Sequence, residues 1–215
     1  MPDADGSDAD DDARIEAGRL LFARPWRFVL GTPTLAGLPE PQGMEIAFAG
    51  RSNAGKSSAI NTIVNRRRLA FSSKTPGRTQ AINFFALGPH RFLIDLPGYG
   101  YAAVSKRERR SWGTLISAYL QTRNSLCGLI LIMDIRHPLT DLDRRLLTWI
   151  AALGKPAHAL LTKADKLPRA QAMTALRHVE DSLARDFPGF TAQLFSSTKK
   201  IGVEQARAVA AGWLK

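Results

Sequence analysis

The chain has 215 residues, of which 45% are apolar and 23% charged, a composition that is ordinary for a globular protein. Its single cysteine excludes an internal disulfide framework, and because no segment approaches about 18 uninterrupted apolar residues we expect no membrane span. The net charge of +11 favours a polyanionic partner, which is nucleic acid or less often an anionic membrane, unless the charge serves only solubility.

The N-terminal segment differs in charge from the rest of the chain. Residues 1–12 hold six aspartates and no lysine or arginine, whereas residues 13–215 hold 30 basic and 13 acidic side chains. We expect residues 1–12 to be a disordered acidic tail, because so few apolar groups cannot offset the entropy of ordering. An acidic start is also the opposite of a secretory signal, so we expect a cytoplasmic protein. Residues 13–43 are predicted to form an N-terminal extension with a strand or turn at 26–30.

The first predicted strand and helix flank a phosphate-binding pattern. Strand 44–49 is short and apolar, helix 56–64 follows it, and the residues between match G-x-x-x-x-G-K-[ST]. Its glycines allow backbone N–H groups to point inward at the positive end of the helix dipole. We expect the Lys56 ammonium to contact the β- and γ-phosphates of a nucleotide and the Ser57 hydroxyl to bind Mg²⁺. The predicted phosphate-binding residues are Gly50, Arg51, Ser52, Asn53, Ala54, Gly55, Lys56 and Ser57.

An irregular polar loop covers residues 66–80. We expect it to supply a hydroxyl to Mg²⁺ once a γ-phosphate is bound, and to change conformation when that phosphate leaves. Thr79 is the preferred ligand because it lies just before the next strand, and Thr75 is the alternative.

Strands 81–87 and 91–95 come next, and the second strand ends in the pattern D-x-x-G. The same pattern occurs at 3–6 and 186–189, but only the copy at 95–98 directly follows an apolar strand. That position places Asp95 beside the phosphate loop, where its carboxylate can hold Mg²⁺ through a water. The N–H of Gly98 can contact a γ-phosphate.

Strands and helices alternate through the rest of the chain. This alternation predicts an α/β fold with a mainly parallel central sheet and helices on both faces, which binds ligands at the carboxyl ends of the strands. The remaining predicted elements are helix 105–123, strand 128–134, helix 140–153, strand 157–161, helix 168–186, strand 191–195 and helix 202–214.

A base-recognition pattern, T-K-A-D at 162–165, follows strand 157–161. The Asp165 carboxylate can accept hydrogen bonds from N1–H and the exocyclic amine of guanine, a donor pair that adenine lacks. The stem of Lys163 can cover the base, and the backbone at 195–197 can donate to the base carbonyl. A P-loop ATPase or small-molecule kinase remains an alternative, against which Asp165 argues.

Taken together, these motifs resemble the EngB-type GTPases, a branch of the TrmE–Era–EngA–EngB–septin-like P-loop GTPases. The resemblance runs from about residue 24 to the C-terminus and rests on GRSNAGKSS at 50–58, SSKTPGRTQ at 72–80, DLPGYG at 95–100, TKAD at 162–165 and FSS at 195–197. It implies a three-layer G domain over 44–215 in a monomeric, Mg²⁺-dependent bacterial GTPase of the cytoplasm. It also implies roles in assembly of the large ribosomal subunit and in septation during cell division.

The resemblance also implies residue roles. It assigns phosphate and switch roles to Gly77, Arg78, Thr79, Gln80 and Ala81, γ-phosphate contact to Asp95, Leu96, Pro97 and Gly98, and guanine contact to Thr162, Lys163, Ala164, Asp165, Phe195, Ser196 and Ser197. Its predicted metal ligands are Ser57, Thr79 and, through a water, Asp95. Its predicted catalytic residues are Lys56, Thr79 and Gly98.

One position departs from the pattern of many GTPases. Tyr99 stands directly after D-x-x-G, where a glutamine amide often orients the attacking water, so we expect slow intrinsic hydrolysis. Asn53 stands where TrmE-like relatives hold K⁺, which predicts modest stimulation by K⁺ over Na⁺. A partner, or Arg78 acting within the same chain, could instead complete the site.

Two further hypotheses concern what the nucleotide controls. In the first, GTP drives a switch that binds ribosomal particles through the basic surface. In the second, GTP selects a conformer that binds division proteins and touches no RNA. The first predicts salt-sensitive binding, because contacts with phosphates release counterions, and the second predicts association that survives high salt.

Overall fold

The computed structural model describes residues 5–70, 81–100 and 106–215. Its helices and strands begin and end within one or two residues of most of the sequence predictions from strand 44–49 onward. In chain order they are α1 (Asp5–Ala23), β1 (Arg27–Thr32), β2 (Met44–Gly50), α2 (Lys56–Ile63), β3 (Ile82–Ala86), β4 (Arg91–Asp95), α3 (Lys106–Thr122), β5 (Leu126–Asp134), α4 (Asp141–Ala152), β6 (Ala157–Thr162), α5 (Arg169–Asp186), β7 (Thr191–Leu194) and α6 (Val203–Trp213).

The strands form one seven-stranded sheet in the order β1-β3-β4-β2-β5-β6-β7. The pairs β4–β2, β2–β5, β5–β6 and β6–β7 are parallel, and β3 runs antiparallel to both of its neighbours. The prediction of a mainly parallel α/β sheet is therefore confirmed. Because β2, β4, β5, β6 and β7 run in the same direction, the loops that follow them gather at one edge of the sheet.

Successive side chains of the central strands point alternately into two separate hydrophobic cores. Ala47 and Ala49 of β2 face a cluster built with α3, α4 and α5. Ile46 and Phe48 face the other cluster, built with α1, α2 and α6. Because successive side chains of a strand point to opposite faces, both faces of the sheet are apolar and are covered by helices. This arrangement gives the three layers that the sequence predicted. Within the described residues, no helix is both long and apolar enough to cross a membrane.

A helix begins the described part of the chain. Residues 5–12, expected to be disordered, lie in α1, while residues 1–4 are outside the described residues. Aspartate carboxylates near the start of a helix are stabilised by the positive end of the helix dipole. The second half of α1 packs on α6. Gly18 lies so close to α6 that a Cβ there would be 2.7 Å from the Ala208 nitrogen. Farther along, Phe22 is buried and stacks on Trp26 with ring centroids 5.3 Å apart.

A buried ion pair fixes the end of α3 to the start of β2. The carboxylate of Glu45 and the guanidinium of Arg123 are in direct contact, with side chains 1% and 3% exposed. The Tyr119 hydroxyl donates to the same carboxylate at 2.8 Å, and Arg123 also donates to the carbonyl oxygen of Pro39 at 2.5 Å. The pair therefore joins α3, β2 and the connector that precedes β2.

We expect Arg123→Met to lower the free energy of unfolding by about 3–5 kcal/mol, because it leaves the Glu45 carboxylate buried without a cation. Urea denaturation followed by circular dichroism measures this change. The exposed Arg145 of α4 provides the control, since Arg145→Met should change stability by less than about 0.5 kcal/mol. The double variant Glu45→Gln/Arg123→Met should recover part of the loss. Equal stability of Arg123→Met and its control would show that the pair contributes nothing.

Candidate functional site

The sequence motifs meet at one edge of the sheet. The phosphate loop at 50–57 follows β2, and residues 95–98 follow the adjacent strand β4, with Phe48 and Asp95 paired across the two strands. The segments 162–165 and 195–197 come at the ends of β6 and β7, which are also neighbours. Residues that are more than 100 positions apart in sequence are thereby brought together, as Ala54 and Thr162 are.

The phosphate loop has the backbone of an anion site. Asn53 and Gly55 adopt positive φ angles of 66° and 97°, and α2 begins directly afterwards at Lys56. Among the described residues, no side chain caps the first turn of α2. An uncapped helix start leaves N–H groups for an incoming anion at the positive end of the helix dipole. At the other end of the loop, Gly50 packs so tightly on β5 that a Cβ would lie 2.7 Å from the Ile132 oxygen.

The ammonium of Lys56 contacts the carboxylate of Asp95 directly. Both side chains are nearly buried, with 11% and 5% exposure respectively. A buried carboxylate needs a cation, and here Lys56 provides it. The same carboxylate, with the Ser57 hydroxyl at the start of α2, is a donor set of hard oxygens that suits Mg²⁺. Binding a divalent cation at Asp95 would leave Lys56 available to an anion.

Residues 95–98 continue β4 and lie against the phosphate loop. Leu96 and Pro97 are buried and Gly98 is partly exposed. A Cβ on Gly98 would lie 3.3 Å from the Ser52 hydroxyl oxygen, so the backbone there is close to the loop. The N–H of Ser52 donates to the carbonyl oxygen of Tyr99 at 2.7 Å, which fixes where this segment leaves the sheet.

The side chain of Tyr99 points into the core and not toward the phosphate loop. It is 2% exposed, and its hydroxyl donates to the Asp143 carboxylate at 2.5 Å. The backbone N–H of Thr140 donates to the same carboxylate at 2.8 Å and thereby caps α4. Burial raises the pKa of Asp143 above its ordinary value and, together with the Asp143 charge, raises that of Tyr99. The phenol is therefore a structural link between the D-x-x-G segment and α4.

Thr162 and Lys163 tie the base-recognition segment to the phosphate loop. The Thr162 hydroxyl is buried, 2.5 Å from the carbonyl oxygen of Ala54 and 2.9 Å from that of Met133. Lys163, at a φ of 60°, donates from its ammonium to the carbonyl oxygen of Asn53 at 2.7 Å and to the Asp134 carboxylate at 2.9 Å. The Thr162 hydroxyl thus ties the phosphate loop to β5, and its contact with guanine, which the resemblance implies, stays a prediction.

Asp165 accepts a hydrogen bond from the Ser196 hydroxyl at 2.6 Å. This bond is the main reason why the pKa of Asp165 lies below its ordinary value, so the carboxylate is ionised at neutral pH. The Phe195 side chain is fully buried in the core, and its carbonyl oxygen accepts from the N–H of Ala164 at 3.1 Å. Ser197 is partly exposed beside them. The segment at 195–197 therefore positions Asp165.

The structure leaves several of the predicted site residues without a described contact to a ligand. Ala81 is partly buried just before β3. Asn53 is exposed, so the expected K⁺ effect stays a prediction. The predicted residues outside the described part of the chain are Thr75, Gly77, Arg78, Thr79 and Gln80.

Sequence reasoning missed Asp134, which receives hydrogen bonds from both Lys163 and Arg136. These bonds keep the pKa of Asp134 well below its usual range. The sequence feature that could have identified Asp134 is its position at the end of the apolar strand β5. That end lies at the same edge of the sheet as the motifs.

Comparison with known protein families gives one match that spans more than half of the chain. The family described as "50S ribosome-binding GTPase" matches residues 45–163. A "Probable GTP-binding protein EngB" of Nitrosomonas europaea is 60% identical over 179 residues, which is 83% of this chain and 81% of that protein. A protein of the same name from Azoarcus sp. is 58% identical over 189 residues, 87% of this chain and 90% of the relative.

Solved structures share the fold at lower sequence identity. The crystal structure of a probable GTP-binding protein engB aligns with a TM-score of 0.61 at 20% identity, covering 78% of this chain and 97% of that one. Era in complex with MgGDPNP and a fragment of 16S ribosomal RNA aligns with a TM-score of 0.60 at 18% identity, covering 81% of this chain and 57% of that one. These alignments agree with the arrangement of layers described above.

We expect Ser196→Ala to raise the pKa of Asp165 toward its ordinary value, because the variant lacks the hydroxyl that stabilises the carboxylate. Carbon-detected NMR titration of the aspartate carboxyl groups measures the shift. Since the folded-state pKa is the lower one, ionised Asp165 stabilises the fold at neutral pH, and this contribution is lost as the pH falls through the lowered pKa. As the pH falls through this range, the free energy of unfolding should therefore decrease less for Ser196→Ala than for the wild-type protein.

The control for this titration is Ser182→Ala, another buried serine, which lies on α5. It should leave the Asp165 titration unchanged. An unshifted Asp165 pKa in Ser196→Ala would mean that the Ser196 hydrogen bond does not control that carboxylate.

Proposed function

The chain belongs to the EngB family of GTP-binding proteins, and on that premise we propose that it is a Mg²⁺-dependent GTPase that switches between nucleotide states during assembly of the large ribosomal subunit. The family model that matches the chain is described as a ribosome-binding GTPase, which supports the ribosomal part of the proposal. We also propose, from the same resemblance, that the protein is cytoplasmic and is needed for normal septation.

The observation that carries the proposal is the hydrogen-bonded connection between the base-recognition segment and the phosphate loop. Thr162 and Lys163 bond to two successive carbonyl groups of that loop, those of Ala54 and Asn53. Asp165 is two residues beyond Lys163, and Lys56 is two residues beyond Ala54. A carboxylate suited to guanine and an ammonium suited to phosphate are thus held in one rigid unit, which supports binding of a guanine nucleotide across the edge of the sheet.

The proposed Mg²⁺ ligands are Ser57, Asp95 through a water, and Thr79 from the loop outside the described residues. Within the described residues, no three histidine, cysteine, aspartate or glutamate side chains cluster to hold a metal. A Mg²⁺ ion at Asp95 would therefore take most of its ligands from nucleotide phosphates and water, as Mg²⁺ commonly does. When bound, it neutralises charge on the phosphates. If the ion took the place of the Lys56 ammonium beside Asp95, the buried carboxylate would still be paired with a cation.

Hydrolysis is proposed to depend on Lys56, Gly98 and Thr79. Lys56 stabilises charge on the phosphates, and Gly98 presents a backbone N–H at the γ-phosphate position. The buried position of Tyr99 supports slow intrinsic hydrolysis, because its hydroxyl bonds to Asp143 and is not available to a water. A group that completes the site is then needed: K⁺ near Asn53, Arg78, or a residue of the ribosomal partner.

We expect Asp165→Asn to weaken GTP binding about a hundredfold and to improve binding of xanthosine triphosphate. The amide cannot accept both hydrogen bonds from guanine, and a hydrogen bond to a charged group is worth about 1.5–3 kcal/mol. Calorimetric titration with both nucleotides measures the change. Asp181→Asn, an exposed aspartate of α5, is the control and should keep the wild-type preference. The guanine assignment would be wrong if Asp165→Asn still preferred GTP.

The proposed switch predicts nucleotide-dependent binding to the large ribosomal subunit. The protein should co-sediment with 50S particles more with a non-hydrolysable GTP analogue than with GDP, and less as the salt concentration rises. Failure to co-sediment in either state would contradict the ribosomal role. Salt-resistant, GTP-dependent association with septal proteins, without ribosomal binding, would instead favour the division-factor hypothesis. GTP binding itself is measured separately by calorimetry.

A further inference from the structure

From the surface around α2, we infer that residues 65–70, here called the arginine loop, form a preorganised contact for the phosphate backbone of a folded RNA. This inference rests on the proposed ribosomal function and deepens it by naming where the RNA binds. Arg66, Arg67 and Arg68 are all exposed. Within the described residues, no carboxylate forms an ion pair with any of them.

The arginine loop is held in shape by one side chain of α2. The Asn61 amide oxygen accepts from the N–H groups of Leu69 and Ala70 at 2.9 and 2.8 Å, and its nitrogen donates to the carbonyl oxygen of Ala70 at 2.8 Å. The N–H of Arg66 donates to the Asn61 carbonyl oxygen at 2.9 Å. Both ends of the loop are thus bonded to the same residue, so the three arginines between them project from a closed turn.

The end of α2 is fixed to α6 as well. The Arg207 guanidinium, 11% exposed, donates to the carbonyl oxygen of Ile63 at 2.8 Å and to that of Thr62 at 3.3 Å. Asn65, two residues beyond α2, turns the chain away from the helix axis with a φ of 51°. Because the backbone of the loop is already ordered, binding to it loses less conformational entropy than ordering a free arginine-rich segment would.

The chemistry of the loop favours RNA over a membrane surface. Guanidinium groups are planar and donate two parallel hydrogen bonds to a phosphate, and three of them in sequence suit phosphates along a backbone. A loop that inserts into a bilayer needs exposed apolar groups beside its basic ones. Here the two apolar residues of the loop, Leu69 and Ala70, pack on the core.

The position of the arginine loop also suits a switch. It follows the C-terminal end of α2, and the N-terminal end of the same eight-residue helix carries Lys56 and Ser57. Eight helical residues span about 12 Å, so one short rigid helix joins the RNA contact to the nucleotide site.

The test compares two triple variants with the same change in charge. The loop variant is Arg66→Gln/Arg67→Gln/Arg68→Gln. The control variant is Arg145→Gln/Arg169→Gln/Arg177→Gln, three exposed arginines of α4 and α5 on the opposite face of the sheet. The probe is protein-free RNA purified from 50S particles, and binding is measured by fluorescence anisotropy over a salt series. Calorimetry with GDP checks that each nucleotide site is intact.

We expect the loop variant to bind RNA about tenfold more weakly than wild type near 0.1 M salt, and the salt slope to flatten by about 2 to 3 because three phosphate contacts are lost. The control variant should change affinity less than about threefold. A further variant, Asn61→Ala, keeps every charge but removes the side-chain clamp. It should weaken RNA binding several-fold while GDP binding is unchanged, which net charge alone would not produce.

The alternatives give different outcomes. Equal losses in the loop and control triple variants would overturn the inference, because net charge would then explain binding. A larger effect of the loop variant on binding to phosphatidylglycerol vesicles than on RNA would overturn it in favour of a membrane contact. If wild-type protein bound GDP and co-sedimented with 50S particles but did not bind the protein-free RNA, the inference would be wrong and the ribosomal function would stand; failure to co-sediment as well would contradict both. If wild type bound the RNA and the loop variant bound it equally well, only the inference would be wrong.

Discussion

Two hydrogen-bonding side chains from the end of β6 hold the site together. Thr162 and Lys163 bond to the backbone of the phosphate loop, and Lys163 also reaches Asp134 at the end of β5. Loops that follow three adjacent strands are thereby joined at one edge of the sheet. In the proposed function, a nucleotide needs its base and its phosphates recognised at a fixed separation, and these bonds would set that separation before a ligand arrives. The rest of the site depends on this link.

Charge at the phosphate end is balanced within the protein. Asp95 is buried in contact with Lys56, and neither charge is left without a partner among the described residues. This contact couples two proposed roles, because a cation that takes over Asp95 leaves Lys56 to the phosphates. Tyr99, next to the D-x-x-G segment, is fixed to the capping residue Asp143 of α4. The C-terminal end of that segment is therefore fixed, and in the proposed mechanism another group completes the site for hydrolysis.

Helix α2 connects the nucleotide site to the proposed RNA contact. Its first residues belong to the phosphate loop, and Asn61 near its other end closes the arginine loop. Arg207 fixes the same end of the helix to α6, on which α1 also packs. The N-terminal extension is thus part of the layer that supports α2. In the proposed RNA contact, the exposed arginines of the arginine loop are held by this layer and are therefore preorganised. Basic residues on an unsupported surface would have to be ordered on binding.

Sequence alone determined the fold class and the order of the motifs, because hydrophobic period and glycine, proline and aspartate positions are local signals. It placed Asp95 at the end of a strand and Lys56 and Asp165 in segments that follow strands, and the parallel sheet brings those strand ends to one edge. Only tertiary structure decided that Thr162 supports the phosphate loop and that Tyr99 lies in the core. Those outcomes depend on contacts between distant parts of the chain, such as Thr162 with Ala54, that local patterns do not encode.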